Sequence, residues 1–298
     1  MAMTPNPRRD FHGPEIPPPL REAGRIFIYG SIFIALCAVG LCLETSLLLG
    51  TPRNSFPFYL VVFCATLGQY NIHYFIKHSA NSNSGRFLWS MTHRRVHLVL
   101  SGIGALGLVL GLTRLQLSHF LVLGVAAFIT ILYSFPLLPF PGKRRLKDFG
   151  LLKIAILSFV WTLITVWFPV VTLRRITSSF MLVFAGRFLF LFALCLAFDI
   201  RDKPSDAREG IHTLPVMLGV KACYQLIRLS LVLFVAIAIL HFRETGRFLV
   251  LNGMILSALA TYFMVEYSRT RSSDLVYLAG IDGMMLLQAL LVGLAGIH

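Results

Sequence analysis

Along this chain the apolar residues gather into long runs, and the polar residues crowd into the gaps between them. Nine runs stand out, near residues 26–49, 57–77, 97–112, 118–135, 151–172, 178–198, 222–241, 247–267 and 275–297. Most approach the ~20 residues that a helix needs to cross a hydrocarbon core of roughly 30 Å; the third is shorter. Inside lipid the backbone has no water to bond to, so such runs must close their own hydrogen bonds as helices. The alternation of a membrane β-strand is absent. Turn-forming residues mark several of the breaks: Gly50-Thr51-Pro52, the polar run Ser79–Gly85, Pro139–Gly142 and the acidic stretch Asp199–Asp206. The pattern predicts an all-α, polytopic membrane helical bundle with nine transmembrane helices. Residues 1–25 are rich in proline and arginine and read as a short tail, leaving 26–298 as the transmembrane domain.

Composition agrees with this reading. Hydrophobic residues make up 56% of the chain and charged residues only 13%, about half the charged share of a soluble domain. The mean hydropathy is +0.76. The first residues lack the apolar core of a cleavable signal. The five cysteines, Cys37, Cys42, Cys64, Cys195 and Cys223, form no C-x-x-C pair, and four lie within apolar runs; they read as small buried side chains.

The net charge of +14 would suggest nucleic acid in a soluble chain. Here the cations lie between the apolar runs, with no basic-aromatic cluster for base stacking, and they report orientation instead. The tail carries Arg8, Arg9, Arg21 and Arg25. The second, fourth, sixth and eighth gaps carry Lys77, Arg86, Arg94, Arg95, Lys143, Arg144, Arg145, Lys147, Lys153, Arg201, Lys203, Arg208, Lys221, Arg269 and Arg271. That places 19 cations on one side, against six on the other: Arg53, Arg114, Arg174, Arg175, Arg243 and Arg247. The positive-inside rule then makes the N-terminus cytoplasmic and the C-terminus external, in an integral protein expected in a bacterial inner membrane.

Acidic residues are scarce, 13 in all, yet three stand together in "FDIRDKPSDAREGIHTLP", Phe198 to Pro215. Asp199, Asp202 and Asp206 are spaced D-x-x-D-x-x-x-D, which on a helix gathers them on one face. Three carboxylates in one place call for a cation, and hard oxygen ligands suit Mg²⁺, which usually also takes phosphate oxygens and water. Arg201, Lys203 and Arg208 interleave with them and could grip phosphate. A solvated loop with internally balanced charge is the plainer alternative.

The stretch "DIRDKPSDAREGIHTLPVMLG", Asp199 to Gly219, resembles the second aspartate-rich motif of the UbiA superfamily of intramembrane prenyltransferases. The nine-span count and an asparagine-bearing segment after the second span match as well. The resemblance implies nine helices around a central lipid-accessible cavity. It implies Mg²⁺ ions held by aspartates on a prenyl diphosphate, and transfer of the prenyl group to a lipophilic acceptor such as an aromatic ring. It makes Asp199, Asp202 and Asp206 the catalytic metal ligands. Asn71 and Lys77 assist from the second span, and basic residues near "PGKRRLKDFG", among them Lys143 and Arg144, serve as diphosphate contacts. A positive-inside anchor explains that basic run equally well.

The family's first motif reads N-D-x-x-D. Here the segment is "QYNIHYFIKHSANSNSGR", in which Asn71 matches the asparagine while Ile72 and Phe75 stand at the aspartate positions. No Asp or Glu occurs between Glu44 and Asp148. Two readings remain open. His73, Lys77, His78, Arg94 and Arg95 hold diphosphate directly, with one Mg²⁺ left on the aspartate stretch; or the fold persists in a catalytically altered relative that binds an isoprenoid lipid or a membrane partner. A third class, a histidine-box metal oxidase, is suggested by His73/His78 and His93/His97, whose spacing can place imidazoles on one helix face. H-x-x-H-H boxes are absent.

Glu44, Arg187 and Asp282 are among the ionisable residues that fall within the runs, where such groups normally find partners. Arg187 is expected to pair with Glu44 or Gln288. Asp282, about 10 Å into the ninth run at 1.5 Å per residue, is a candidate contact for the acceptor. Gly102, Gly104, Gly107 and Gly111 carry the small-x-x-small spacing of close helix packing.

Overall fold

The computed structural model describes residues 17–76, 85–134, 150–172, 176–208 and 210–296. Lys77, His78, Lys143, Arg144, Arg145 and Lys147 lie outside them. The described residues are almost entirely helical: α1 (Pro18–Tyr29), α2 (Ile32–Leu48), α3 (Phe56–Ile76), α4 (Gly85–Thr92), α5 (Arg94–Leu112), α6 (Leu117–Ser134), α7 (Gly150–Thr162), α8 (Phe168–Val170), α9 (Ser178–Arg208), α10 (Leu214–Met217), α11 (Val220–Thr245), α12 (Phe248–Ser268) and α13 (Gly283–Ala295). A π-helical turn, Leu163–Trp167, joins α7 to α8, and another, Val276–Ile281, leads into α13.

This is an integral membrane helical bundle. Among the described residues six helices are long and apolar enough to cross a membrane, or seven if α1 and α2 count as one bent span. α6 is apolar but shorter. α3 occupies the predicted second run. α1 begins at Pro18, within the segment read from sequence as tail.

Packing closes a ring. α2 lies against α13, α13 against α12, α12 against α11, α11 against α9, and α9 against α7, while the π turn after α7 returns to α2. The main core lies along these helix contacts, with Leu41, Phe190, Leu196, Ile227, Phe234 and Ile281 nearly inaccessible. α3 packs beside α2, and α5 packs on α3. Leu106, Val109, Phe128, Val232 and Phe263 are exposed on the outer faces, as expected where lipid replaces water.

The α3–α5 contact is built on the glycines anticipated from sequence. A Cβ on Gly104 would stand 2.9 Å from the Cys64 carbonyl oxygen and 2.9 Å from the Gly68 nitrogen. Gly111 is similarly tight against Pro57 and Val61, whereas Gly102 has open space around it and faces away. The cysteines are all free, four of them buried. Arg187 meets Glu44 at 2.9 Å in the interior, both side chains nearly inaccessible.

Two features depart from the pattern-based reading. The first span is broken: α1 and α2 meet at 52°, with Ser31 in the left-handed region at φ 64°. And the acidic stretch Asp199–Asp206 is no loop. α9 runs 31 residues to Arg208, through Pro204. At 1.5 Å per residue that is about 46 Å, well beyond a hydrocarbon core of roughly 30 Å. The charged turns therefore extend past the apolar slab as a continuation of the span. Apolar content marked where lipid ends, and that is not where the helix ends.

Candidate active site

Breaking a helix releases carbonyls and N–H groups that need partners. At the α1–α2 break, Arg86 from α4 donates through Nη2 to the Tyr29 carbonyl (3.2 Å) and to Ser31 Oγ (2.8 Å). Asn71 from α3 donates to the Gly30 carbonyl at 2.9 Å and to its own helix at Leu67, 2.8 Å. The Asn71 oxygen faces His97 Nδ1 at 2.7 Å, and His97 Nε2 lies 2.9 Å from Ser90 Oγ. Asn71 and His97 are both fully buried. The break is thus sewn to α3, α4 and α5.

Arg86 is buried, and its guanidinium lies 4.0 Å over the Tyr74 ring. Its backbone N–H donates to Asp274 Oδ2 at 2.7 Å. The other oxygen of Asp274 is 4.0 Å from Arg201 Nη1. Asp274 therefore joins the start of α4 to the charged turns of α9. Arg201 also binds Asp202, through Nε at 2.7 Å and Nη2 at 3.3 Å, and rests between the rings of Phe198 and Tyr277, at 4.9 and 5.1 Å. Asp282, partly buried below, lies within electrostatic range of both Arg86 and Arg201.

The remaining aspartates turn to α7. Gly150, buried at its start, packs so closely on the His212 carbonyl and Thr213 that a Cβ would collide. This seats the first turn of α7 beside the end of α9. Lys153 Nζ then stands 2.9 Å from Asp199 Oδ1 and 3.4 Å from Asp206 Oδ2. All three side chains are largely shielded, at 19%, 7% and 11% exposure. Asp199, Asp202 and Asp206 lie within electrostatic range of one another, as their helical spacing implies.

The other sequence candidates spread around this region. Arg94 donates to the Phe75 carbonyl at 3.1 Å, capping the end of α3. His73 is exposed, its ring edge-on to Tyr74. Lys203 is partly buried next to Asp202. Arg208, exposed, donates to the Pro204 carbonyl at 3.1 Å. His93 stacks on Trp89 at 4.6 Å, and His97 has both ring nitrogens engaged. Among the described residues no three His, Cys, Asp or Glu side chains converge as a metal cluster.

The donor set nonetheless fits one magnesium ion. Asp199 and Asp206 point at a common cation. Asp199 Oδ2 is buried without a hydrogen-bond partner, the condition of an oxygen short of positive charge. Mg²⁺ is commonly held by one or two carboxylates, with substrate phosphates and waters completing its shell.

The UbiA prenyltransferase family model matches residues 89–279 of this chain. The chain belongs to the UbiA prenyltransferase family. Solved structures agree on the fold at low identity. A UbiA homolog from Archaeoglobus fulgidus bound to DMAPP and Mg²⁺ is 12% identical, with a TM-score of 0.63 over 90% of this chain and 98% of that one. The same homolog bound to GPP and Mg²⁺ gives 13% and 0.61, over 90% and 100%. A digeranylgeranylglyceryl phosphate synthase structure gives 13% and 0.55, over 92% and 98%. No curated protein matches the chain.

The sequence pattern singled out the aspartates but not the side chains that meet them. Lys153 and Arg86 entered only as cations in an orientation count, and Asp274 was not singled out. Lys153 left one usable signal. It is the lone charge inside "GLLKIAILSFVWT", and a lysine on an apolar helix needs a carboxylate. Asp274 left none, because its role depends on two elements meeting in space.

Proposed function

We propose that this UbiA-family protein moves a prenyl group from a prenyl diphosphate to a lipophilic acceptor, such as an aromatic ring, within the membrane, with magnesium assistance. Nine spans surround a lipid-accessible cavity, the N-terminus is cytoplasmic and the C-terminus external, in a bacterial inner membrane. The observation that carries the reading is the buried, unpartnered oxygen of Asp199 beside Asp206 and Lys153, at the end of a family fold. Asp199, Asp202 and Asp206 would hold the ion. When bound, magnesium neutralises charge that builds on the departing diphosphate.

The chain's own residues do the rest. Arg201, Lys203, Arg208 and Arg86 supply donors to phosphate oxygens, as fixed guanidiniums and a mobile ammonium. Lys77, Lys143 and Arg144, which lie outside the described residues, would with Arg94 and His73 contact the diphosphate directly. These side chains would stand in for the carboxylates that the first motif lacks. Asn71 acts by position, holding the α1–α2 break against α3. Phe198, Tyr74 and Tyr277 would keep water from the allylic carbon. Asp282 orients the acceptor.

The same observations favour a second reading. With no carboxylate on α3, and with each aspartate already in contact with Lys153 or Arg201, the protein binds an isoprenoid diphosphate without turning it over. Purified protein given prenyl diphosphates of several lengths with Mg²⁺ separates the two. Diphosphate release that Asp202→Asn abolishes supports the enzyme. Saturable binding without release supports the second reading, and neither binding nor release sinks both.

A further inference from the structure

Lys153 stands where a metal ion would stand. Its ammonium touches one oxygen of Asp199 and one of Asp206, across two different turns of α9. The position is built. Gly150 seats α7 on the backbone of His212 and Thr213, with no room for a side chain between them. From there the lysine stem reaches the acidic end of α9. Tyr133 of α6 lies within electrostatic range of all three charges. Shielding matters for magnitude. A charge pair at these exposures interacts several-fold more strongly than the same pair in water.

Yet the match is incomplete. Two carboxylates meet one ammonium, which leaves one negative charge over, and Asp199 Oδ2 remains buried and unpartnered. The site is therefore neither a finished ion pair nor an open metal site. A divalent ion would complete the charge balance, but Lys153 is in its way, both by volume and by repulsion. Lysine suits this part, being a point charge on a flexible four-carbon stem that can swing aside without moving the helix.

We propose that Lys153 is a tethered cation that competes with divalent metal for the Asp199–Asp206 pair, so that the ion enters only as Lys153 withdraws. The inference rests on the reading of these aspartates as a metal site. It adds that this chain carries its own stand-in for the ion, and that its affinity for metal alone is held down by an internal residue. In the loaded protein the displaced ammonium becomes a further donor to phosphate.

Mn²⁺ binding to the full-length protein in detergent, read by electron paramagnetic resonance without substrate, tests this. Lys153→Met and Lys153→Gln should each bind Mn²⁺ about ten-fold or more tightly than wild type, because one repelling charge has left. Lys153→Arg, which keeps the charge, should bind as weakly as wild type. Adding Asp199→Asn to Lys153→Met should abolish the gain. Should the neutral variants not fold, wild type carries the test. Mn²⁺ should increase labelling of Lys153 by an amine-reactive reagent, read by peptide mass spectrometry. Unchanged labelling at saturating Mn²⁺ overturns the inference. Equal affinity in wild type and Lys153→Met, lost in Asp199→Asn, overturns this inference alone. Absence of binding in every variant overturns the metal reading of the aspartates as well.

Discussion

The carboxamide oxygen of Asn71 and the imidazole Nδ1 of His97 meet at 2.7 Å in the buried interior between α3 and α5. Asn71 has its whole side chain committed. Its nitrogen serves the Gly30 and Leu67 carbonyls, and its oxygen serves His97. Asn71 thus holds the broken first span in place.

Asn71→Ala should therefore lower stability by about 1–3 kcal/mol, because it leaves the Gly30 carbonyl and a histidine nitrogen buried without partners. Asn71→Asp should do no better. A carboxylate cannot donate, and it would face two carbonyl oxygens. Denaturant or thermal unfolding in detergent measures both, and native-like stability of either variant would remove the structural role.

Much of this architecture was legible in the sequence. Runs near membrane length located the helices, because a span must be both apolar and long enough, and those demands leave marks in composition. The α3–α5 glycines and the Arg187–Glu44 pair were legible for similar reasons: close approach forbids side chains, and a buried charge demands a partner. The helical continuation through Asp206 was not legible, since a helix leaving lipid turns polar in the same way a loop does. The break at Ser31 was also hidden. It interrupts an apolar run without a proline, and what makes it tolerable is Arg86 and Asn71, which are remote in sequence. The same distance separates Lys153 from Asp199 and Asp274 from Arg201.

Gly104 and Gly102 offer a matched pair on one helix. Gly104→Ala would drive a methyl group into the backbone of α3, where nothing flexible can yield. Overpacking of this kind costs about 1–3 kcal/mol. Gly102→Ala meets open space and should be neutral or slightly stabilising, since alanine is the better helix former. Equal unfolding midpoints for the two variants would contradict the packing described for α3 and α5.

The ion pair between Glu44 and Arg187 lies deep in the ring, and outside the contact itself Glu44 Oε1 and Arg187 Nη1 have no hydrogen-bond partner. Removing one member strands the other charge in an apolar interior. Glu44→Leu or Arg187→Met alone should cost about 3–5 kcal/mol, while the double variant should recover most of that loss. A double-mutant cycle on unfolding free energies checks the coupling. Additive single effects would mean that the pair contributes nothing as a pair.

Asp274 connects the two halves of the candidate site, and its two functions can be separated by substitution. It accepts the Arg86 backbone N–H at 2.7 Å, which fixes the start of α4, and it places a negative charge 4.0 Å from Arg201. Asp274→Asn keeps an acceptor for the N–H while removing the charge, so Arg86 and Arg201 stay in place and face an anion with less competition. Its affinity for inorganic pyrophosphate should equal or exceed that of wild type. Asp274→Ala removes both functions. α4 is released, Arg86 is no longer held across from Arg201, and affinity should fall by about ten-fold, or ~1.4 kcal/mol. Calorimetric titration of the three proteins decides it. If asparagine and alanine weaken binding equally, the carboxylate acts through its charge, and α4 is not positioned by this contact.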